Sequence, residues 1–266
     1  MIVTAGIDVG STTTKAVVLQ DKTIVGYARC PTGVDCTAAA MQVLSQSLAM
    51  ANLPVSAIAF ILATGYGRNV VTVKSLGNAP FASMTEINCH AVGVKSLLPT
   101  TMTIVDIGGQ DSKAISLNPD GSVKNRWMND KCAAGTGRFF EQIAGRLGLT
   151  VDQLGPCSLS SKYPARLNST CTVFAETEVI SLLAQKKLPE DIAAGLHQAV
   201  AQRVCAGARR VGVQNEVVFT GGVAENVGMH KALEEELQLP VHVLKAAPYT
   251  GAIGAAVQAY QRVAQQ

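Results

Sequence analysis

One polar segment is written twice in this chain, at residues 8–16 and again at 106–114. Asp8, Gly10, Lys15 and Ala16 return at the same offset as Asp106, Gly108, Lys113 and Ala114. Between them the first copy holds Ser11, Thr12 and Thr13, and the second holds Gly109, Gln110 and Asp111. Glycine and small hydroxyl residues let backbone N–H groups approach phosphate oxygens, and the hydroxyls add donors. A carboxylate heading each loop, Asp8 and Asp106, can hold a hydrated magnesium ion. Lys15 adds a point positive charge near the phosphates. A single loop of this kind is a common turn. Two at one offset suit a polyanion and its metal clamped between them.

A third segment completes the set. A predicted strand over 217–220 runs into Gly221, Gly222, Val223 and, further on, Asn226, followed by a helix to residue 237. Paired glycines at a helix entry let a flat adenosine lie against the backbone. Gln110 cannot take a proton from a sugar hydroxyl, but it can orient a water, which favours hydrolysis over phosphoryl transfer. A plain loop hydrogen bond is its other reading. Glu86 either polarises water or binds metal through solvent, or it is simply an acid in the first turn of a helix. Gln110, Asp106 and Glu86 are therefore the catalytic candidates.

The elements that position these residues follow the same duplication. Each copy reads strand, polar loop, strand, turn, with turns at 20–22 and 118–121, the mark of a repeated α/β unit whose halves face each other. Further strands are predicted at 23–28, 57–63, 123–128 and 241–244. Helices are predicted at 35–51, near 68–75, and at 86–98, 138–147, 171–185, 189–211 and 251–265. Pro99 marks a boundary between lobe I (1–98) and lobe II (99–250), with the last helix, 251–266, returning to lobe I.

Composition narrows the class. The chain has 266 residues, 48% hydrophobic and only 15% charged, with net charge +3 and one Trp. That allows a large core, hints at buried subunit contacts and gives no basis for nucleic-acid binding. No apolar run approaches the roughly 18 residues that cross a bilayer. The start lacks a basic signal-peptide region, so a cytoplasmic chain with no membrane contact is expected.

Seven cysteines, an odd number, include no Cys-x-x-Cys. A disulfide framework, a zinc ribbon or a cluster held within one chain is disfavoured. Any metal site must join distant cysteines or be shared between chains. Cys132 precedes a small-residue run and a helix, and Cys171 opens another helix. The dipole at a helix start draws a thiol toward thiolate and stabilises an anionic cluster. Two chains about a two-fold axis could supply four thiolates. Spacing alone favours two small buried hydrophobes. Cys30, Cys36, Cys157 and Cys205 read as structural, and Cys89 and His90 as a core cysteine and a polar contact. The Thr64-Gly65-Tyr66-Gly67-Arg68 loop reads as functional without an assigned role.

The two loops and the Phe219-Thr220-Gly221-Gly222-Val223 motif resemble the sugar kinase, heat-shock chaperone and actin superfamily. The resemblance implies duplicated ribonuclease-H-like lobes of the actin-like ATPase fold, with ATP or ADP and Mg2+ in the cleft. Residues 105–113, 129–139 and 171–176 resemble one branch: the ATPase activators of 2-hydroxyacyl-CoA dehydratases and the activating subunits of benzoyl-CoA reductases. In that branch a [4Fe–4S] cluster bridges a homodimer through two cysteines per subunit, at positions matching Cys132 and Cys171. The implied activity is ATP hydrolysis coupled to one-electron donation, with a ferredoxin or flavodoxin as electron source. The implied client is an iron–sulfur dehydratase or reductase. A kinase of a small sugar or acid on the same fold would transfer phosphate and hold no iron. A filament or chaperone module would polymerise or bind peptide.

Overall fold

The duplicated segments fold as two equivalent sheets. In the computed structural model, which describes residues 1–71, 79–167 and 171–265, the first sheet contains β1 (Val3–Val9), β2 (Thr13–Gln20), β3 (Thr23–Pro31), β4 (Ile58–Thr64) and β5 (Phe81–Ser83). Its order is β3-β2-β1-β4-β5. The second contains β6 (Thr103–Ile107), β7 (Ser112–Leu117), β8 (Val123–Asn129), β9 (Val217–Thr220) and β10 (Val241–Val243), in the order β10-β9-β6-β7-β8. In each, the strand carrying the leading aspartate is central. It pairs antiparallel with the strand after the loop and parallel with the next inward strand. The register repeats as well: Asp8 lies opposite Lys15, and Asp106 opposite Lys113.

The central strands are buried along their whole length, as expected for strands hydrogen-bonded on both edges and covered on both faces. Ile7, Val18, Val43 and Ile61 anchor the core of the first sheet. Val105, Phe139, Phe140, Val204 and Phe219 anchor that of the second. The chain divides into two units, residues Met1–Thr100, Leu117–Val123 and Pro248–Gln266 in one, and Thr101–Ser116 and Lys124–Ala247 in the other.

In the first unit α1 (Cys36–Ala51) starts where the Asp35 carboxylate accepts the Thr37 and Ala38 N–H groups, and it ends at left-handed Asn52. Helices α2 (Glu86–Leu97) and α8 (Thr250–Ala264) cross at backbone contact. That explains the small-residue sequence of α8: a Cβ on Gly254 would lie 1.8 Å from the Cys89 carbonyl oxygen. Gly254→Ala must push the helices apart and is expected to cost about 3 kcal/mol, read as a lower urea midpoint at unchanged slope.

The second unit adds α3 (Gly137–Arg146), α4 (Val151–Leu159), α5 (Thr172–Ala184) and α6 (Pro189–Val211) between β8 and β9, and α7 (Val227–Leu237) after β9. Helix α4 escapes a sequence reading because Gly155 and Pro156 look like breakers. Its start is nonetheless fixed by a capping box between Thr150 and Gln153, and Pro156 is tolerated inside. Strand β5, three residues long, carries too little pattern to predict. The helix expected near 68–75 is not found in its described part: residues 68–70 form a turn and Val71 is irregular. The rest of that stretch lies outside the described residues. Among the described residues no helix is long and apolar enough to cross a membrane.

Candidate functional site

In the first unit the end of β1 and the loop after it hold two buried polar atoms without a hydrogen-bond partner, Asp8 Oδ1 and Thr12 Oγ1. Asp8 is 4% exposed. Its Oδ2 lies 3.5 Å from Lys15 Nζ. Gly65 makes room for the other oxygen: a Cβ there would come within 2.5 Å of Asp8 Oδ1, and its φ of +88° suits glycine. The Thr64–Arg68 loop thus lies against the carboxylate, held by Gly67 N–H donating to the Val9 carbonyl at 2.9 Å. Thr32 fastens the loop after β1 from behind, its hydroxyl donating to the Gly10 carbonyl at 2.7 Å and its N–H to that of Thr12 at 2.9 Å. Thr32 sits on the flank of β3, far from any motif, so sequence reasoning passes over it. Ser11 and Thr13 are half-buried beside Gly10. Glu86 opens α2 and pairs with His90 across one turn at 3.6 Å, while His90 Nδ1 meets Thr250 Oγ1 at 3.1 Å.

The second unit repeats this arrangement with its carboxylate more heavily engaged. Asp106 Oδ1 accepts from Thr220 Oγ1 at 2.9 Å, and Oδ2 accepts from Lys113 Nζ at 3.1 Å. Lys113, 1% exposed, also pairs with Asp111 at 2.8 Å. Gly108 N–H donates to the Asp111 carbonyl at 2.9 Å, which closes the loop, and Gln110 stands exposed at its tip. Gly221 has φ +88°, and a Cβ on it would lie 2.2 Å from the Ile107 carbonyl oxygen. Only glycine lets this turn press against the end of β6. A Cβ on Gly222, by contrast, would meet nothing within 4 Å, which leaves open backbone for a flat ligand. Val223 is half-buried, and Asn226 caps α7 by accepting the Met229 N–H at 3.0 Å.

Helix α3 hangs from the second loop. Gly137 N–H donates to the Gly108 carbonyl at 2.8 Å and Arg138 N–H to that of Gly109 at 2.9 Å. A Cβ on Gly137 would also meet Val223 Cγ2 at 3.5 Å. Gly137 is therefore bonded to the Gly108–Asp111 loop and lies beside the Gly221–Val223 turn, a junction that spacing could not disclose.

Cys132 lies ahead of α3 rather than at its first turn. The chain first makes a turn over 133–136, with Gly135 at φ +95°, the small-residue run that the sequence sets between this cysteine and the helix. Asn129 shapes the loop by donating to the Cys132 and Ala134 carbonyls at 3.0 and 3.1 Å. Cys171 is the N-cap residue of α5 in extended conformation, and its side chain makes no cap bond. Both thiols are half-buried. Glu176 of α5 accepts from Gln142 and Arg146 of α3, and these bonds hold its carboxyl below the usual range. The helices that follow the two cysteines are thereby strapped together.

Cys89 and Cys205 are different. Burial pushes both thiols up to about 12. At pH 8 they stay protonated and inert, so iodoacetamide applied to the native protein leaves them unmodified in a peptide mass map. Labelling of either under native conditions would contradict the described burial.

Known proteins share this architecture from end to end. The (R)-2-hydroxyglutaryl-CoA dehydratase activating ATPase of Acidaminococcus fermentans is 44% identical over 264 residues, 99% of each chain. The activator of lactoyl-CoA dehydratase of Anaerotignum propionicum is 43% identical over 97% of each. The solved activator of the 2-hydroxyisocaproyl-CoA dehydratase from Clostridium difficile, with bound ADPNP, is 40% identical. It superposes with a TM-score of 0.93, covering 99% of this chain and 96% of that one. The two sheets are those of the actin-like ATPase fold. With residues 5–259 matched by the family model, the chain belongs to the BadF/BadG/BcrA/BcrD ATPase family.

Proposed function

We propose that this ATPase is an activator: it spends ATP to deliver single electrons to a partner iron–sulfur enzyme, a 2-hydroxyacyl-CoA dehydratase or a related reductase. The observation that carries the reading is the end-to-end likeness to dehydratase activators at 40–44% identity.

The first loop binds phosphate through the N–H groups of 10–13 and the hydroxyls of Ser11, Thr12 and Thr13. The unpartnered Thr12 Oγ1 and Asp8 Oδ1 fit a phosphate oxygen and a hydrated magnesium ion. The second loop offers Gly108, Gly109 and the exposed Gln110, whose amide orients the attacking water. Asp106 balances the charge of Lys113 in the second loop, and Glu86 acts on solvent near the phosphates of the first. Adenosine rests on Gly221, Gly222 and Val223, with Asn226 fixing the turn.

Cys132 and Cys171 fit a shared thiolate-ligated group. Both are half-buried, neither side chain caps a helix, and among the described residues no cysteine joins a three-ligand cluster within the chain. The face of α5 beyond Cys171 is apolar and open, with Phe174 73% and Val173 64% exposed, which suits contact with a second copy. Bound by both cysteines of each copy, a [4Fe–4S] cluster supplies a low-potential one-electron store that a ferredoxin or flavodoxin refills.

Coupling runs through named bonds. Exchange of ATP for ADP alters what Gly108 and Gly109 hold, and their carbonyls carry the first turn of α3. Glu176 passes a tilt of α3 to α5. Such a change requires that nucleotide bind two arrangements with different affinity. The deciding experiment mixes the pre-reduced protein with a dehydratase. Electron transfer with ATP, and none with a non-hydrolysable analogue, is expected. Equal transfer without nucleotide would sink the coupling.

A further inference from the structure

A buried imidazole lies beneath the adenosine-side turn with no task in this scheme. His197 of α6 is 2% exposed. Its Nδ1 faces the Ala193 carbonyl at 2.6 Å and its Nε2 faces the Asn226 carboxamide at 3.0 Å. The Phe140 ring of α3 covers it, with centroids 5.1 Å apart. Two glycines leave space for the pair. A Cβ on Gly228 of α7 would lie 2.2 Å from Ser158 Oγ and 3.0 Å from His197 Nε2, and one on Gly155 of α4 would lie 2.5 Å from Asn226 Oδ1. Four helices therefore meet around one polar contact.

Proton accounting shows how that contact is made. Burial pushes the His197 pKa down and keeps the ring neutral. Nδ1, opposite a carbonyl oxygen, carries the one proton and donates it. Nε2 is then an acceptor and needs a donor. Asn226 Nδ2 is buried without a partner. The Met229 N–H reaches the Asn226 backbone carbonyl at 3.1 Å as well as the side-chain oxygen. A half-turn of the carboxamide gives Nε2 its donor, and the Met229 N–H then leaves the side chain and rests on the Asn226 backbone carbonyl at 3.1 Å. Asn226 takes the orientation its hydrogen-bond network dictates, and His197 is the member that decides it.

We propose that His197 is a positioning residue for nucleotide binding: it locks the Asn226 carboxamide, and with it the 222–225 turn, in the form that receives adenosine. The inference rests on the reading of 221–226 as adenosine contacts. It also explains a polar ring at a site where leucine would pack without burying polar atoms. Through Phe140 the same ring ties the turn to α3, the helix after Cys132.

The test is ADP titration and steady-state ATP hydrolysis on the full chain, with His197→Leu, His197→Gln and, as a control of the site, Gly222→Val, whose side chain enters open space. His197→Leu is expected to raise the ADP Kd and the ATP KM about tenfold and to leave kcat within about twofold. His197→Gln, whose amide reaches the place of Nε2, recovers most of the loss. Should the leucine variant not fold, His197→Asn, which reaches only the place of Nδ1, replaces it with the same expectation. A folded variant with unchanged Kd, or kcat falling in step with KM and no recovery in glutamine, makes His197 a packing residue and overturns the proposal. Wild-type protein that binds no ADP, or Gly222→Val that binds it normally, would instead remove the adenosine reading, and the proposal with it.

Discussion

Alanine at both Cys132 and Cys171 is expected to cut client activation by more than about a thousandfold, because removing an electron carrier deletes the step rather than slowing it. ATP hydrolysis should persist. The two Asp-x-Gly loops are held by bonds that these thiols do not make: Thr32 behind the first, and Lys113 between Asp106 and Asp111 in the second. The fold should persist too, since both cysteines are half-buried and Cys171 makes no side-chain cap bond. The comparison pair is Cys89 and Cys205, whose thiols are buried in the cores. Cys205→Ala loses packing, so its effect belongs in stability, on the order of 1 kcal/mol, with activation retained. The measurement is client turnover and phosphate release side by side. Activation that survives in the double variant would show that electrons take another route.

Asp8→Asn is expected to lower ATP hydrolysis about 100- to 1000-fold, the usual cost of losing a preorganised charge contact in the transition state. Asp8 Oδ1 is buried without a partner while Oδ2 stands 3.5 Å from Lys15. An amide keeps the shape, yet it cannot hold a hydrated cation there. ADP affinity without magnesium should change little, and the magnesium dependence should flatten. Asp106→Asn offers the contrast. Its carboxylate is tied to Thr220 and to the fully buried Lys113. Neutralising it unbalances a buried ion cluster, expected to cost about 3 kcal/mol, so kcat and the unfolding midpoint should fall together. If Asp8→Asn behaves the same way, the two loops differ less than their hydrogen bonds indicate.

Much of this architecture was legible in the repeated Asp-x-Gly segments, because a loop that must present backbone N–H groups admits few residue types. The register that sets each lysine opposite its aspartate follows from the loop length they share. The long α6 was readable from Pro189 to Val211 because a proline starts it and Gly212 follows it. What stayed hidden depends on contacts between distant segments. Thr32, Gly137 and His197 carry no motif. Their roles come from a hydroxyl meeting the back of a loop, a helix start pressed between two turns, and a ring beneath an amide. Helix α4 was masked by Gly155 and Pro156, and Gly155 is small because Asn226 needs the space.

The central claim, a bridging cluster held by Cys132 and Cys171, is tested most directly by iron and acid-labile sulfide analysis of anaerobically purified protein. Its mass in solution and the double alanine variant are measured alongside. About four of each per dimer, absent from the variant, is the predicted result. A protein that stays free of iron after anaerobic reconstitution, yet hydrolyses ATP, would contradict it.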